Sequence, residues 1–176
     1  LLLSIYSIIF AMQYPLEPNQ VSLGSAFTIG IPAFLLTFEE NQKKQQNGNF
    51  LKKVFKNSLP AAITSFLAIV AMVRFSVLFN VEGQEITTAC SYLFFTGGFL
   101  ILYKIIRPLN KYRSSVMALC ILGILLTINI MPDFFAIKAI SGRAAALVTL
   151  FAIAEFSVIR WITLVLDKFG KSRKKC

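Results

Sequence analysis

The stretch Pro18-Asn19-Gln20-Val21-Ser22-Leu23-Gly24-Ser25-Ala26-Phe27-Thr28-Ile29-Gly30-Ile31-Pro32 carries small, hydroxyl-bearing and apolar residues and ends in a proline. Proline has no amide hydrogen, so Pro32 cannot donate to the carbonyl of Thr28, four residues earlier. In hydrocarbon that oxygen needs another partner. Ser22, Ser25 and Thr28 place hydroxyl oxygens in the same stretch, Gln20 adds an amide, and Gly24 and Gly30 lower the cost of local unwinding. A freed carbonyl beside hydroxyls is a set of hard oxygen donors, the type that Na⁺, K⁺, Mg²⁺ or Ca²⁺ takes when it sheds water. The expected chemistry is cation binding, with Ser25 and Thr28 as ligands and Gln20, Ser22, Gly30 and Pro32 along the ion pathway. The alternative is packing alone, because Ser22, Ala26 and Gly30 recur every four residues and would form a small-residue seam.

Two other places hold polar groups inside apolar runs. Glu155 lies near the middle of the last run, with Arg160 five residues on and Arg74 in the third run. A buried charge there costs at least about 2.5 kcal/mol, so Glu155 is either part of the ion pathway or one half of an ion pair with Arg160 or Arg74. In the fourth run Tyr92, Thr96, Gly97 and Gly98 offer a smaller polar patch, with Thr96 as the pathway candidate and a helix-packing notch as the alternative. Cys90, Cys120 and Cys176, with no His in the chain, make neither a zinc site nor a disulfide framework. There is no Gly-rich phosphate loop and no nucleophile–base pair, so no catalytic residue and no resident cofactor is expected.

The elements that must position these groups follow from composition. The chain has 176 residues, of which 56% are apolar and 15% charged, with a mean hydropathy of +0.70. A soluble domain is about 25% charged, so these values point to an all-α, polytopic membrane helix bundle in a cell membrane. Apolar runs cover about 1–13, 20–38, 59–80, 86–106, 114–131 and 144–166, giving about six spans. The first is short for a bilayer and is expected to be the second half of a longer helix. Arg107-Pro108 ends the fourth span and Met131-Pro132 the fifth.

The basic residues set the orientation. Lys43, Lys44, Lys52, Lys53 and Lys56 lie in 39–58; Lys104, Arg107, Lys111 and Arg113 in 104–113; Lys168, Lys171, Arg173, Lys174 and Lys175 in the tail. The opposite connections hold only Lys138 and Arg143. By the positive-inside rule the basic segments are cytoplasmic, both ends of the chain included, and the turns at 14–19, 81–85 and 132–143 face outside. The basic excess is thus a topological signal, and no nucleic-acid partner is expected. Within the loop 39–58, Phe50, Leu51, Val54 and Phe55 share one helical face, which suggests a helix lying in the headgroup layer; a solvated basic loop is the alternative.

Pro18-x-Gln20 followed by Thr28-x-Gly30-x-Pro32-Ala33, after a short Pro-containing hairpin, resembles the sixth transmembrane helix of P-type cation-transporting ATPases. The similarity at motif level covers roughly residues 14–40; beyond that the layout of spans agrees. The resemblance implies that the chain is the end of the fifth to the tenth helix of a bacterial pump, of the calcium- or magnesium-transporting kind. It further implies missing N-terminal helices and cytoplasmic domains of the same chain, with ATP and Mg bound there and an Asp-Lys-Thr-Gly phosphorylation motif upstream of Leu1. One departure bears on the ion. Ile29 stands where the calcium pumps of animal cells carry an Asp, and Ser25 where they carry an Asn, so this helix brings no carboxylate and the nearest intramembrane acid is Glu155. The competing reading is a complete six-span channel, porter or membrane scaffold.

Topology is testable by impermeant thiol labelling of intact cells, with the native cysteines replaced by serine. Lys138→Cys should label directly, and Asn110→Cys only after permeabilisation; the reverse pattern would invert the orientation.

Overall fold

The computed structural model describes residues 2–10, 14–38, 50–78, 83–106 and 110–172. These residues are helical, with connecting turns and no strand among them: α1 (Leu2–Ile9), α2 (Pro18–Ser25), a π-helical turn (Ala26–Gly30), α3 (Ile31–Thr37), α4 (Phe50–Leu78), α5 (Gly83–Ile106), α6 (Lys111–Ile130) and α7 (Gly142–Ser172). Five helical rods are long and apolar enough to cross a membrane, one of them the composite Pro18–Thr37. The protein is an all-α, multi-pass membrane helix bundle.

Helix ends follow local chemistry. Pro18 opens α2 at a position where the missing N–H is no loss, and the helix α6 stops at Ile130, ahead of Met131-Pro132. Helix α5 ends at Ile106; Arg107-Pro108 lies outside the described residues. The segment expected to lie flat in the headgroup layer does not form a separate helix. Helix α4 runs without interruption from Phe50 to Leu78 and carries Pro60 inside it. Helix propagation costs less than a second nucleation, so the basic segment continues into the span rather than turning. The rest of the loop, 39–49, lies outside the described residues.

Helices α4, α5 and α7 pack against one another and form the scaffold. Their shared core comprises Ile69, Met72 and Val73 of α4, Ala89, Cys90 and Leu93 of α5, and Leu147 of α7, closed by Leu16 from the first connection. The composite rod leans on α5 with α2 and on α6 with α3, so α6 is held chiefly through this rod. With no hydrophobic driving force between helices in lipid, close approach depends on small residues. Gly24 admits the rings of Phe94 and Phe95, Gly98 admits Thr28, and Gly123 admits Phe27. A Cβ on Gly24 would lie 2.8 Å from both rings, and one on Gly98 would lie 2.7 Å from Thr28 Cγ2.

Gly24→Val and Gly98→Val should therefore each lower the thermal stability of the protein in detergent by about 1–3 kcal/mol, the range for overpacked sites. Gly142→Ala, with nothing within 4 Å of the new Cβ, is the control and should leave stability unchanged.

Candidate functional site

The helix holding the proposed ligands is continuous from Pro18 to Thr37 and is not unwound. It changes register. The Ile31 amide donates to the carbonyl of Ala26, five residues back, and the π-helical turn spans Ala26–Gly30. Pro32 follows directly, and having no N–H it can supply neither a π-type bond to the Phe27 carbonyl nor an α-type bond to that of Thr28. The expectation of an unwound segment is corrected to a single widened turn. The physical reason is economy of hydrogen bonds: a π turn loses the fewest backbone partners around a proline, while open coil would lose several in hydrocarbon.

The rod presents one face to the bundle. Gln20, Leu23, Gly24, Thr28 and Pro32 are buried, while Ser22, Ala26 and Gly30 are exposed and Ser25 is half-buried. The small-residue seam at Ser22, Ala26 and Gly30 is therefore not the surface used for packing among the described helices. The candidate ligands also divide: Thr28 faces α5, Ser22 and Gly30 point away, and Ser25 lies between. The Thr28 hydroxyl donates back to the Gly24 carbonyl at 2.7 Å, a bond that bends helices, while the methyl side of the residue rests over Gly98.

Gln20 is fully buried and acts at the end of the bundle that holds the connection 131–141. Its Nε2 donates to the Ala136 carbonyl at 2.9 Å, and its Oε1 accepts from Ser91 Oγ at 2.5 Å and from the Glu17 amide at 3.3 Å. The loop it grips is tightly turned, with Ala136 at φ 49, and its neighbours are tied down by Asn19 Nδ2 donating to Phe134 O and by Ser141 Oγ donating to Glu85 Oε2. Thr96 is half-buried, and its hydroxyl donates to the Tyr92 carbonyl within α5.

Glu155 has neither of the two expected arginine partners. Its Oε1 accepts a hydrogen bond from Ser65 of α4, and Oε2 has no hydrogen-bond partner. Arg74 instead donates from Nε to the Tyr6 hydroxyl at 2.8 Å and stacks over Phe10, and Arg160 is exposed on α7. Both arginines lie on outward faces, which explains why neither meets a carboxyl that points inward.

A groove of about 760 Å³ runs between α1, the composite rod, α4 and α5. Its walls are largely apolar, with Leu36, Ile69, Phe94 and Leu102 among them, and its polar positions are Thr28, Ser65 and Tyr14. Ser65 was not among the sequence candidates. The signal was present in the buried stripe Ala61, Ala68, Ile69, Met72 and Ser76, whose helical spacing puts position 65 on the inner face of α4. Among the described residues there is no cluster of three or more His, Cys, Asp or Glu side chains that would hold a metal ion without backbone or hydroxyl oxygens.

With this geometry established, similarity to known proteins narrows the class. The chain is 30% identical over 114 residues to the "Probable cation-transporting ATPase" of Streptococcus pneumoniae, a match covering 65% of this chain and 14% of that protein. It is 26% identical over 121 residues to a calcium-transporting ATPase of Mycolicibacterium smegmatis, covering 66% and 15% respectively. A calcium-transporting ATPase of Mycobacterium bovis is 25% identical over 107 residues, 58% of this chain and 13% of that protein. No family model and no solved structure matches the chain. This membrane helix bundle is thus distantly related to cation-transporting ATPases, and it spans only about one seventh of the length of the curated relatives it matches.

Replacing Gln20 by Leu would leave the Ala136 carbonyl without its Gln20 partner and the Ser91 hydroxyl with the Thr87 carbonyl alone, a loss of about 1–3 kcal/mol. Hydrogen exchange should show faster exchange of the amides at 134–138 in this variant; unchanged protection would remove Gln20 as the peg for that loop.

Proposed function

We propose that the chain is the C-terminal membrane part of an ATP-driven cation pump of the P-type class, running from the end of the fifth helix to the tenth, in the cell membrane. The observation that carries this reading is the π turn before Pro32: it occurs within the segment resembling the pump helix, near the middle of a membrane-spanning rod. Two carbonyls, of Phe27 and Thr28, are those that Pro32 cannot serve, and with the hydroxyls of Thr28 and Ser25 they form the proposed oxygen set for a dehydrated cation. Gln20, Ser22, Gly30 and Pro32 shape this pathway, with Thr96 and Glu155 on the neighbouring helices.

Calcium or magnesium is the proposed cargo. The naming of several relatives as calcium transporters supports it, as does the hardness of the oxygen donors. Because the rod itself brings no carboxylate, we infer that acidic ligands come from helices of the same protein outside this chain. The exposed seam of Ser22, Ala26 and Gly30 suits such an approach, since small residues let a further helix come close enough to share an ion. ATP, its Mg and the phosphorylated aspartate belong, on this reading, to cytoplasmic domains outside the chain. The scaffold of α4, α5 and α7 would hold the rod steady while those domains drive it.

Reconstituting the full-length protein in proteoliposomes tests this. ATP-dependent uptake of Ca²⁺ or Mg²⁺ is expected, and Pro32→Ala, which restores an amide donor and with it an ordinary α turn, should weaken apparent cation affinity about tenfold. Uptake by Pro32→Ala equal to wild type would reduce the π turn to a packing detail, and flux independent of ATP would favour a channel or porter.

A further inference from the structure

The junction of α4, α5 and α7 encloses a carboxyl group that supplies none of the proposed cation ligands, which are the Phe27 and Thr28 carbonyls and the Thr28 and Ser25 hydroxyls. Glu155 is 1% exposed, with Ser65 donating to Oε1 and nothing bonded to Oε2. Gly97 of α5 makes the room: a Cβ there would run into both Ser65 and the Glu155 carboxyl. The space is therefore made for this pair and is filled by it. Ser65 is half-buried and lines the groove, whereas Glu155 does not, so the serine hydroxyl stands between the carboxyl and the groove.

Among the described residues, the charged and titratable groups of the packed helices lie away from this junction. On α4, Arg74 is turned to Tyr6. On α5, Glu85 is bonded to Ser141 at one end of the helix, Cys90 and Tyr92 lie more than a turn from Gly97, and Lys104 lies about two turns beyond it. On α7 itself Arg160 is exposed. None of them bonds to Glu155.

The donor set decides the ligand. A hard metal cation takes about six to eight oxygens, and this junction offers one carboxyl and one hydroxyl. An ionised carboxylate would sit away from water with one oxygen unsatisfied and no opposing charge. A single proton resolves both problems. We propose that Glu155 is a proton-binding site, loaded and emptied from the groove through the Ser65 hydroxyl. On loading, the Ser65 O–H bond breaks as an O–H bond forms on the Glu155 carboxylate, and Ser65 Oγ takes a replacement proton from a hydronium in the groove, leaving water. Emptying is the reverse, with water as the acceptor. The serine ends each cycle neutral, and the charge of the carboxyl is the only quantity changed.

This goes beyond the pump assignment and is tested without turnover. Infrared difference spectra between wild type and Glu155→Gln are taken on the full-length protein in lipid nanodiscs at neutral pH. They should show one protonated-carboxyl stretch that the substitution removes. Ser65→Ala keeps the carboxyl, so it reads the same band even if Glu155→Gln fails to fold; the band should shift in frequency, and its exchange in heavy water should slow about tenfold, the equivalent of one hydrogen bond. Absence of the band at neutral pH, or a band indifferent to Ser65→Ala, would overturn the proposal. Loss of the wild-type band on adding Ca²⁺ or Mg²⁺ at constant pH would also overturn it, by making Glu155 a metal ligand. A negative result here leaves cation uptake untouched, and absent uptake leaves this spectrum untouched.

Discussion

Inside a bilayer a polar atom has no water to fall back on, and this one constraint organises the molecule. Backbone groups satisfy it by forming helices, which is why the described residues hold nothing but helices and turns. Side-chain hydroxyls satisfy it by bonding carbonyls one turn back, as Thr28, Thr64, Thr96 and Thr127 do. Among the described residues the buried side-chain atoms without a partner are few, Ser7 Oγ and the second oxygen of Glu155, and Pro32 brings no donor for the carbonyls of Phe27 and Thr28. Thr28 and Glu155 are both buried, and both side chains lie against glycines of α5, Thr28 against Gly98 and the carboxyl against Gly97. Two consecutive glycines thus let two different helices press polar groups against one scaffold helix, from two sides.

The bundle divides its labour accordingly. Helices α4, α5 and α7 share a close-packed apolar core, whereas the rod from Pro18 to Thr37 touches that core along a single narrow face. At one end the rod is anchored by Gln20, whose fully buried amide grips Ser91 and the Ala136 carbonyl. Towards its other half it is held by α6, and the Tyr112 hydroxyl donates to the Leu35 carbonyl at 2.8 Å. A rod fixed at both ends and widened in the middle is suited to place oxygen atoms without itself folding or unfolding.

Much of this was legible in the sequence. Hydropathy was enough for an all-α membrane bundle, and Met131-Pro132 marked the end of α6 because proline's steric rule is local. The turn at Pro32 was also foreseeable as a lost hydrogen bond, but its form was not, because a missing donor is equally compatible with a kink, open coil or a π turn. The facing of the rod was half legible. Ser22, Ala26 and Gly30 have the spacing of a seam, yet the face used for packing is the one through Gln20, Gly24 and Thr28, chosen by the rings of Phe94 and Phe95 that fit Gly24. Glu155 was recognisable from its burial cost alone. Its partner was not, because charge suggested an arginine, and only the packing of α4 on α7 brings Ser65 to it.

The central claim is that the backbone around the π turn contributes oxygen to a bound cation. Crystals of the full-length protein grown with Mn²⁺ in place of Ca²⁺ or Mg²⁺ would decide it by anomalous scattering. A peak about 2.0–2.6 Å from the Phe27 or Thr28 carbonyl oxygen, with the turn still π-helical, is the outcome predicted. A peak remote from both carbonyls, or a rod with regular α-helical bonding through residues 26–31 and its Thr28 face turned to lipid, would contradict it.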